Sequence, residues 1–477
     1  MSTPKCLRLL FLTCCLMLIP VLELHAQDHQ MWANLGIYGG HVQDLAIDPQ
    51  DPSRIFAATY LGRGLYLSED GGASWQALEM AETMEGEDSF NEQAVYAVAV
   101  APSNPQVVWA AHNRWVAKSV DGGLTWTHIT NGSMQADCAT CGGATDAWRF
   151  CLSIAIHPTN PDRVWVGTGG PASADAGGAV YATADGGLSW NKLNQGNDLD
   201  YRVEDLAVSM LHPDTIWAVT NSNGYGGVYD GTVYRSIDGG LSFAPILPKP
   251  ATGGILAVAP KPDNEDVVFV GGGYGIVQLT YDGAQWNAAY PVMDSRLAAD
   301  VIFAPSDPNR IYAAWMCPND AYWLGDGLPK ISTGVFDGST WVWETFVPDP
   351  QSAAALQALG VHPTDAGRLV GGDLSLGVLS SADHGQQWTP VNQGLNAVIV
   401  YDLDADAQDT RHMIAASGSG FYERAAGASA WQRRLNGIYM AARFHPASAA
   451  RSCAAWMAVS LFRRCSTAST SPARPTA

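Results

Sequence analysis

Five aspartates, each inside the same eight-residue pattern, are the most repeated acids of the chain. They are Asp70, Asp121, Asp185, Asp238 and Asp383, and the shared pattern is Ser/Thr-x-Asp-x-Gly-x-x-aromatic. A carboxylate beside glycines could hold a metal ion or act as a catalytic acid. A catalytic residue is not needed five times in one chain, whereas a structural repeat needs its turn in every copy. The repetition therefore favours a turn that stabilises the fold.

The residue types of this pattern, here called the octet, suit a β-hairpin. Aspartate accepts hydrogen bonds from backbone N–H groups one or two residues ahead, and glycine adopts positive φ without strain. The Ser or Thr hydroxyl can join that network, and the aromatic side chain can anchor one sheet to the next. The positions that carry the pattern are Ser68, Asp70, Gly72, Trp75, Ser119, Asp121, Gly123, Trp126, Thr183, Asp185, Gly187, Trp190, Ser236, Asp238, Gly240, Phe243, Ser381, Asp383, Gly385 and Trp388.

Cysteines are the next residues with possible chemistry. Cys138 and Cys141 form a CxxC pair, but no second pair or flanking histidine completes a zinc set. We expect a disulfide that staples a loop, formed among Cys138, Cys141 and Cys151, with Cys317 as a further candidate. The aspartate run 402–406 resembles a calcium loop but lacks the Gly and Glu that such a loop needs. The sequence therefore predicts no metal site and no cofactor.

A second signature precedes each octet and indicates the elements that position it. Residues 45–57 read as a short apolar strand, a turn with proline and a second strand. The octet then supplies strands three and four, so that each unit encodes a four-stranded meander. The signature recurs at residues 98–110, 154–166, 206–218, 256–270, 301–313, 359–370 and 403–415. These units predict an all-β fold, a single β-propeller of four-stranded antiparallel blades, with eight blades favoured and seven as the alternative.

The domain boundaries follow from the same repeats. Degenerate octets lie at residues 280–286, 336–341 and 420–431, and residues 31–36 resemble a lone fourth strand that could close the ring. Residues 1–26 carry a short basic start and an apolar run, which is typical of a secretory signal peptide. The propeller is assigned to residues 27–446. A ninth unit begins at residue 442, and residues 447–477 are expected to form a disordered or aberrant tail without a strand pattern.

The octets resemble the Asp-box, or BNR, repeat of β-propellers. That group includes sialidases, xyloglucan-cleaving enzymes, sortilin/Vps10 receptors and YCF48-like photosystem-II assembly factors. The resemblance covers nearly the whole chain after the signal, and it implies the fold more than the function. Sialidases begin with a Phe/Tyr-Arg-Ile-Pro motif that this chain lacks. Xyloglucanases place a catalytic aspartate before a Gly-Gly-(Ala/Met)-Tyr strand, and the matching residues 61–66 hold no carboxylate.

Irregular loops locate the candidate site. Long insertions at residues 79–93, 131–149, 169–179, 221–231 and 317–330 belong to the face opposite the octets. Aromatic, arginine and acidic side chains near them suit a carbohydrate or peptide. The candidate ligand-binding residues are Arg63, Arg114, Trp115, Trp148, Arg149, Tyr201, Arg202, Tyr225, Asp230, Trp315, Tyr322 and Trp323. The candidate catalytic acids are Asp373, Asp326, Asp320 and Glu204.

Composition limits the partners. The chain has a formal net charge of −20, with 26 Lys+Arg against 46 Asp+Glu. Nucleic acids and anionic membrane surfaces are bound by clustered Lys and Arg, so this charge argues against both. No stretch after the signal is apolar enough to span a bilayer. We expect a secreted or periplasmic monomer that binds protein or glycan without catalysis, and the alternative is a glycoside hydrolase with paired carboxylates.

Overall fold

The protein is built from consecutive antiparallel sheets. Within the residues that the computed structural model describes, eight sheets have four strands, and each is a meander. The predicted all-β fold with eight four-stranded units is therefore confirmed. Among these residues no helix is both long and apolar enough to cross a membrane. The described residues are 38–60, 64–78, 94–112, 115–129, 150–169, 178–193, 199, 202–222, 230–247, 254–273, 275–293, 297–316, 330–346, 356–374, 376–398, 400–406, 408–428, 430–435, 439–445, 448–456 and 464–467.

We number the sheets as blades 1 to 8 in chain order, and the strands of each blade from first to fourth. Blade 1 comprises Val42–Ile47, Ile55–Thr59, Leu65–Ser68 and Gln76–Ala77, and blade 2 comprises Val95–Val100, Val108–His112, Trp115–Ser119 and Thr127–Ile129. Blade 3 comprises Phe150–Ile156, Val164–Gly169, Ala179–Thr183 and Asn191–Lys192, and blade 4 comprises Arg202–Val208, Ile216–Asn221, Val233–Ser236 and Ala244–Pro245. Blade 5 comprises Ile255–Lys261, Asn264–Gly272, Gly275–Tyr281 and Trp286–Val292, and blade 6 comprises Leu297–Ala304, Asp307–Met316, Lys330–Phe336 and Trp341–Phe346. Blade 7 comprises Leu356–Val361, Leu369–Asp373, Gly377–Ser381 and Thr389–Pro390, and blade 8 comprises Val400–Ala405, Met413–Ser417, Gly420–Arg424 and Gln432–Leu435.

The core lies between the blades rather than inside any one of them. Second strands such as Ile55–Thr59 and Ile216–Asn221 are buried at every position. They are apolar without alternation because both of their faces pack against neighbouring sheets. Phe56 of blade 1, for example, shares a core cluster with Val98 and Trp126 of blade 2. Each blade is thus stabilised mainly by its two neighbours.

Blade 1 packs against blade 7, and this contact closes a ring of seven blades. Val42 of blade 1 shares a core cluster with Ala358 of blade 7. Gly39–Gly40 pair in parallel with Asn396–Ala397, which follow the last strand of blade 7. We call this contact the seam. The closed ring has the smaller of the two blade numbers that the sequence allowed, and the expected closing strand at residues 31–36 lies outside the described residues.

Blade 8 packs on a ninth sheet of three strands. Ile414 and Phe421 of blade 8 share a core cluster with Ala442. The sequence predicts a tail without strands from residue 447, and the structure differs there. Here Tyr439–His445 and Ser448–Trp456 pair antiparallel, as the first and second strands of the other units do. The strands of the ninth sheet are Tyr439–His445, Ser448–Trp456 and Arg464–Thr467.

The octets are hairpin turns closed by their own side chains. Ser68 Oγ accepts the N–H of Gly72 and donates to Asp70 Oδ1, both at 2.8 Å. Asp70 Oδ1 accepts the N–H of Ser74 at 2.8 Å, four residues ahead rather than the one or two that the sequence suggested. Gly71 and Gly72 have φ of 71° and 95°, which glycine adopts without strain. The same contacts recur in the other four octets.

Blades 5 and 6, whose octets are degenerate, have a shorter turn and a longer outer strand. The N–H of Asp282 donates to the carbonyl oxygen of Gln285 at 3.1 Å, which closes a tight turn. Trp286–Val292 and Trp341–Phe346 then pair over most of their length, whereas Gln76–Ala77 is only two residues long. Loss of the octet therefore changes the outer edge of a blade and leaves its inner strands in place.

Candidate functional site

The first strands surround the central channel of the ring. First strands of successive blades contact one another from blade 1 to blade 7 and back to blade 1. Each one runs towards the proline-bearing turn, which lies on the octet face because the N–H of Gly71 donates to the carbonyl oxygen of Ser53 at 2.8 Å. First strands therefore begin on the opposite face, where second strands end. We call the channel opening on that face the mouth.

Three rings from blades 1 and 2 form a row at the mouth. The ring centroids of His41 and Tyr60 are 5.2 Å apart, and those of Tyr60 and Tyr96 are 6.1 Å apart with an edge-to-face angle of 72°. Both tyrosine rings are partly exposed. Burial raises the pKa of Tyr96 to about 12 and lowers the pKa of His41 to about 4. His41 and Tyr96 are therefore uncharged near neutral pH, and the row offers ring surfaces to a ligand.

Two amide side chains lie beside this row and cross the seam. Gln357 Nε2 of blade 7 donates to Gln43 Oε1 of blade 1. Both amides also interact with His41, which opposes the effect of burial on its pKa. An amide carries two donors and an acceptor, so a ligand hydroxyl could exchange hydrogen bonds with either residue. Neither glutamine nor His41 was among the residues predicted from sequence.

Arg202 and Glu204, both predicted from the sequence, lie together at the start of blade 4. Arg202 Nε is 3.3 Å from Glu204 Oε1. Burial raises the pKa of Glu204, and the positive charge of Arg202 partly offsets this effect. Arg202 also acts on Tyr96 electrostatically, so this ion pair continues the cluster around the mouth. Glu204 is thus paired with a cation, which suits a positioning or binding role better than acid catalysis.

Three aspartates deeper in the channel occupy one repeat slot. Asp44, Asp205 and Asp300 each sit at a β-bulge of a first strand, in blades 1, 4 and 6. Bulges re-aim side chains, and here the carboxylates reach the next blade. Their Oδ2 atoms accept the backbone N–H groups of Val98 at 2.8 Å, Val258 at 2.9 Å and Leu359 at 2.7 Å, respectively.

These channel aspartates hold blades together rather than facing a substrate. Burial raises the pKa of Asp44 and Asp205 to about 7 and that of Asp300 to about 6, and repulsion from Asp300 adds to the first two shifts. They line a channel cavity of about 340 Å³. Among the described residues, no group of three His, Cys, Asp or Glu side chains could hold a metal ion. A sequence signal existed, since an aspartate precedes an apolar residue at the same position of four first strands, the fourth being Asp402 in blade 8.

Other predicted site residues serve the fold. The Asp373 side chain is buried, and its Oδ1 accepts the N–H of Leu376 at 2.7 Å, so it caps a turn instead of facing the mouth. Trp315 is 1% exposed, and its Nε1 donates to Ser332 Oγ at 2.9 Å. The prediction that Trp315 binds a ligand is therefore wrong, because this indole fills the core between blades 5 and 6. Asp230 Oδ1 accepts the N–H of Gly231 at 3.0 Å.

The remaining predictions stay predictions. Trp115 begins the third strand of blade 2, where its backbone pairs with His112. Cys151 is buried in blade 3. The predicted residues that lie outside the described part of the chain are Arg63, Arg114, Cys138, Cys141, Trp148, Arg149, Tyr201, Tyr225, Cys317, Asp320, Tyr322, Trp323 and Asp326.

Sequence comparison relates the chain to xyloglucanases at low identity. No protein-family model matches it. It is 25% identical over 351 residues to a probable oligoxyloglucan-reducing end-specific xyloglucanase of Neosartorya fischeri, covering 65% of this chain and 38% of that protein. It is 24% identical over 397 residues to a xyloglucanase of Hypocrea jecorina, covering 79% of this chain and 41% of that protein. The chain thus matches about two fifths of the length of these relatives.

Solved structures with a similar fold include enzymes of glycoside hydrolase family 74. The GH74 xyloglucanase of Xanthomonas campestris aligns with a TM-score of 0.58 and 15% identity, covering 92% of this chain and 75% of that one. An ancestral GH74 enzyme aligns with a TM-score of 0.53 and 16% identity, covering 88% and 66%. Identities this low show the fold alone. Five octets, eight four-stranded sheets and these likenesses together show a β-propeller fold that resembles the BNR/Asp-box propellers.

Proposed function

We propose that the mouth binds a glycan chain without cleaving it. The observation that carries this proposal is the partly exposed row of His41, Tyr60 and Tyr96 beside the amides of Gln43 and Gln357. The faces of a sugar ring are apolar and pack on aromatic rings, while its hydroxyls exchange hydrogen bonds with amides. A rigid apolar surface with a few convergent polar groups is the usual form of a binding site.

The sequence relatives support the choice of a glycan over a peptide. Both relatives described above are named as xyloglucanases, so their names point to a polysaccharide ligand, xyloglucan. The signal-like residues 1–26 would deliver the protein outside the cytoplasm, where such polysaccharides are met. Because the chain matches only about two fifths of those enzymes, their activity is not carried over with the ligand class.

The described carboxylates support binding without hydrolysis. Glycosidases generally use two carboxylates that face each other about 5–10 Å apart across the scissile bond. Here Glu204 is paired with Arg202, and Asp373 caps a turn with its side chain buried. The three channel aspartates accept backbone hydrogen bonds. Each of these five described acids thus already has a partner within the protein.

The second candidate function is a glycoside hydrolase. It is favoured by the names of the sequence relatives, and its remaining candidate acids are Asp320 and Asp326, which lie outside the described residues. Both functions use the same face, so they differ in turnover rather than in the location of binding.

Titration calorimetry with xyloglucan oligosaccharides tests the proposal. We expect Tyr60→Ala and Tyr96→Ala to weaken binding about tenfold or more, as truncation of a central aromatic usually does. Tyr290→Ala is the matched control, because Tyr290 is an exposed tyrosine on the outer strand of blade 5. Unchanged affinity in both mouth variants would contradict the proposed site.

A reducing-end assay on the same oligosaccharides separates the two functions. The binder predicts no new reducing ends at any enzyme concentration. Turnover that disappears in Asp326→Ala or Asp320→Ala, with the melting temperature unchanged, would establish the hydrolase instead.

A further inference from the structure

Large aliphatic side chains are exposed on three consecutive octet turns. Leu124 of blade 2, Leu188 of blade 3 and Leu241 of blade 4 are 71%, 75% and 72% exposed, and they share one octet position. Val120 and Ile237 stand on the other side of the aspartate in blades 2 and 4 and are 64% and 69% exposed. Monomeric proteins rarely expose contiguous large apolar side chains without a use for them.

The other two intact octets do not share this feature, although their turns have the same geometry. Blade 1 carries Glu69 and Ala73 at the equivalent positions, and blade 7 carries Ala382 and Gln386. Hairpin formation therefore does not require an aliphatic residue at either position. The exposed aliphatics of blades 2 to 4 need a separate explanation.

Contacts between blades place the three turns side by side. Lys118 of blade 2 donates to the carbonyl oxygen of Gly186 in the octet of blade 3 at 3.0 Å. Trp165 Nε1 of blade 3 donates to the carbonyl oxygen of Gly239 in the octet of blade 4 at 3.0 Å. Each octet thus lies against the preceding blade. We call Val120, Leu124, Leu188, Ile237 and Leu241 the octet arc, and the exposed Met210 of blade 4 lies on the same face.

The surface around the octet arc carries negative charge. Asp121, Asp185 and Asp238 lie in the same turns, and hydrogen bonds lower the pKa of the first two to about 2, so they stay ionised. Between the turns, Asp162 and Asp214 are exposed, with side chains 55% and 64% accessible. Their partner cations, Lys118 and Arg163, are largely covered. Apolar side chains and carboxylates therefore alternate along this surface.

We propose that the octet arc docks a basic segment of a partner protein that carries aliphatic or aromatic side chains. Such a segment would cover the exposed leucines and place Lys or Arg beside the carboxylates, which is the usual form of electrostatic complementarity at interfaces. A second copy of this chain fits poorly, because the chain has a formal net charge of −20 and its octet arc would meet like charges. The octet arc lies on the face opposite the mouth, so both surfaces can be occupied together.

Fluorescence anisotropy with a labelled amphipathic Leu/Lys peptide tests this surface on the full chain. The test variant is Leu124→Ser/Leu188→Ser/Leu241→Ser, and the matched control is Ala73→Ser/Gln386→Ser in blades 1 and 7. We expect the triple variant to bind the peptide about tenfold more weakly and the control to bind as the parent does. All five side chains are exposed, so both variants should keep the melting temperature of the parent.

Three outcomes would overturn the proposal. The first is equal binding by the parent and the triple variant. The second is equal binding of a Ser/Lys peptide, which would show attraction by charge alone. The third is concentration-dependent self-association in sedimentation that the triple variant abolishes, which would make a second copy the occupant. Weakening of the Leu/Lys complex by raised salt, with no binding of a Leu/Glu peptide, would support it.

Discussion

The indole Nε1 of Trp75 donates a hydrogen bond of 2.7 Å to the carbonyl oxygen of Val391, which lies 316 residues further along the chain. Trp75 belongs to the octet of blade 1, and Val391 follows the last strand of blade 7. In two other octets the equivalent indole bonds within its own turn, as Trp126 does with the carbonyl oxygen of Gly123 at 2.9 Å. The same repeat position thus closes the ring in blade 1 and stabilises a hairpin in blade 2.

The first prediction separates these two roles. Trp75→Phe and Trp126→Phe each remove one indole hydrogen bond and some packing, so each should cost about 1–2 kcal/mol of unfolding free energy. Only Trp75→Phe should accelerate amide hydrogen exchange at the seam, around residues 39–47 and 391–397, because only that bond joins blades 1 and 7. Equal seam exchange in the two variants would show that the Trp75 bond does not hold the ring closed.

The second prediction concerns the pH dependence of stability. The pKa of Asp205 is raised from its ordinary value of 3.8 to about 7, so the native state prefers the protonated acid. This contribution to stability is fully present below about pH 4 and is lost as the pH rises through about 7. The side chain of Asp205→Asn cannot ionise. Between pH 5 and pH 8 the free energy of unfolding of this variant should therefore fall by about 1–3 kcal/mol less than that of the parent.

Urea unfolding at the two pH values measures this difference. Asp266→Asn, at an exposed position of blade 5, is the control and should follow the parent. If the parent and Asp205→Asn lose stability in parallel between the two pH values, the native pKa of Asp205 is not raised.

The third prediction compares two glycines in the same octet position. Gly72 and Gly123 have φ of 95° and 91°, so alanine is strained at both by about 1–2 kcal/mol. A Cβ on Gly72 would meet nothing nearer than 3.6 Å, whereas a Cβ on Gly123 would lie 2.7 Å from Phe56 Cε1. Gly123→Ala should therefore cost about 1–3 kcal/mol more than Gly72→Ala, because Phe56 must move within the core. Chemical denaturation measures the unfolding free energy of both variants. Equal losses would mean that Phe56 moves aside at no cost in stability.

The fourth prediction separates fold from ligand binding on the two faces. Trp126→Ala leaves a cavity between blades 1 and 2 and should cost about 3–5 kcal/mol. Asp121→Ala removes the acceptor of the Thr125 N–H at 2.9 Å, so it should also lower the melting temperature. Neither variant should change oligosaccharide affinity while it remains folded, since both residues lie on the octet face. Loss of affinity in a folded variant, measured by calorimetry, would place the glycan site on that face instead.

Local sequence determined the blades. Each octet carries a hydroxyl, a carboxylate and glycines at fixed spacing, and these groups interact within eight residues, so the hairpin could be predicted without its neighbours. The proline-bearing turn and the apolar second strand are equally local, and they predicted eight four-stranded units and the face on which the octets lie. The placement of Arg202 and Glu204 at the start of one first strand could be predicted as well, and their role in a site stays a prediction.

Only the tertiary structure decided which blades meet and which side chains share the mouth. Blades 7 and 8 look alike in sequence, yet Trp75 bonds to the chain beside blade 7, so ring closure depends on shape accumulated over seven blades. Gln357 meets His41 and Gln43 only through that closure, since more than 300 residues separate it from them along the chain. Trp315 and Asp373 looked like site residues because their types suit ligands, but whether a side chain faces the channel or the next blade is set by packing between sheets. Hydrogen bonds within each octet are short-range and can be predicted from the sequence, whereas packing between distant blades determines which side chains meet at the mouth.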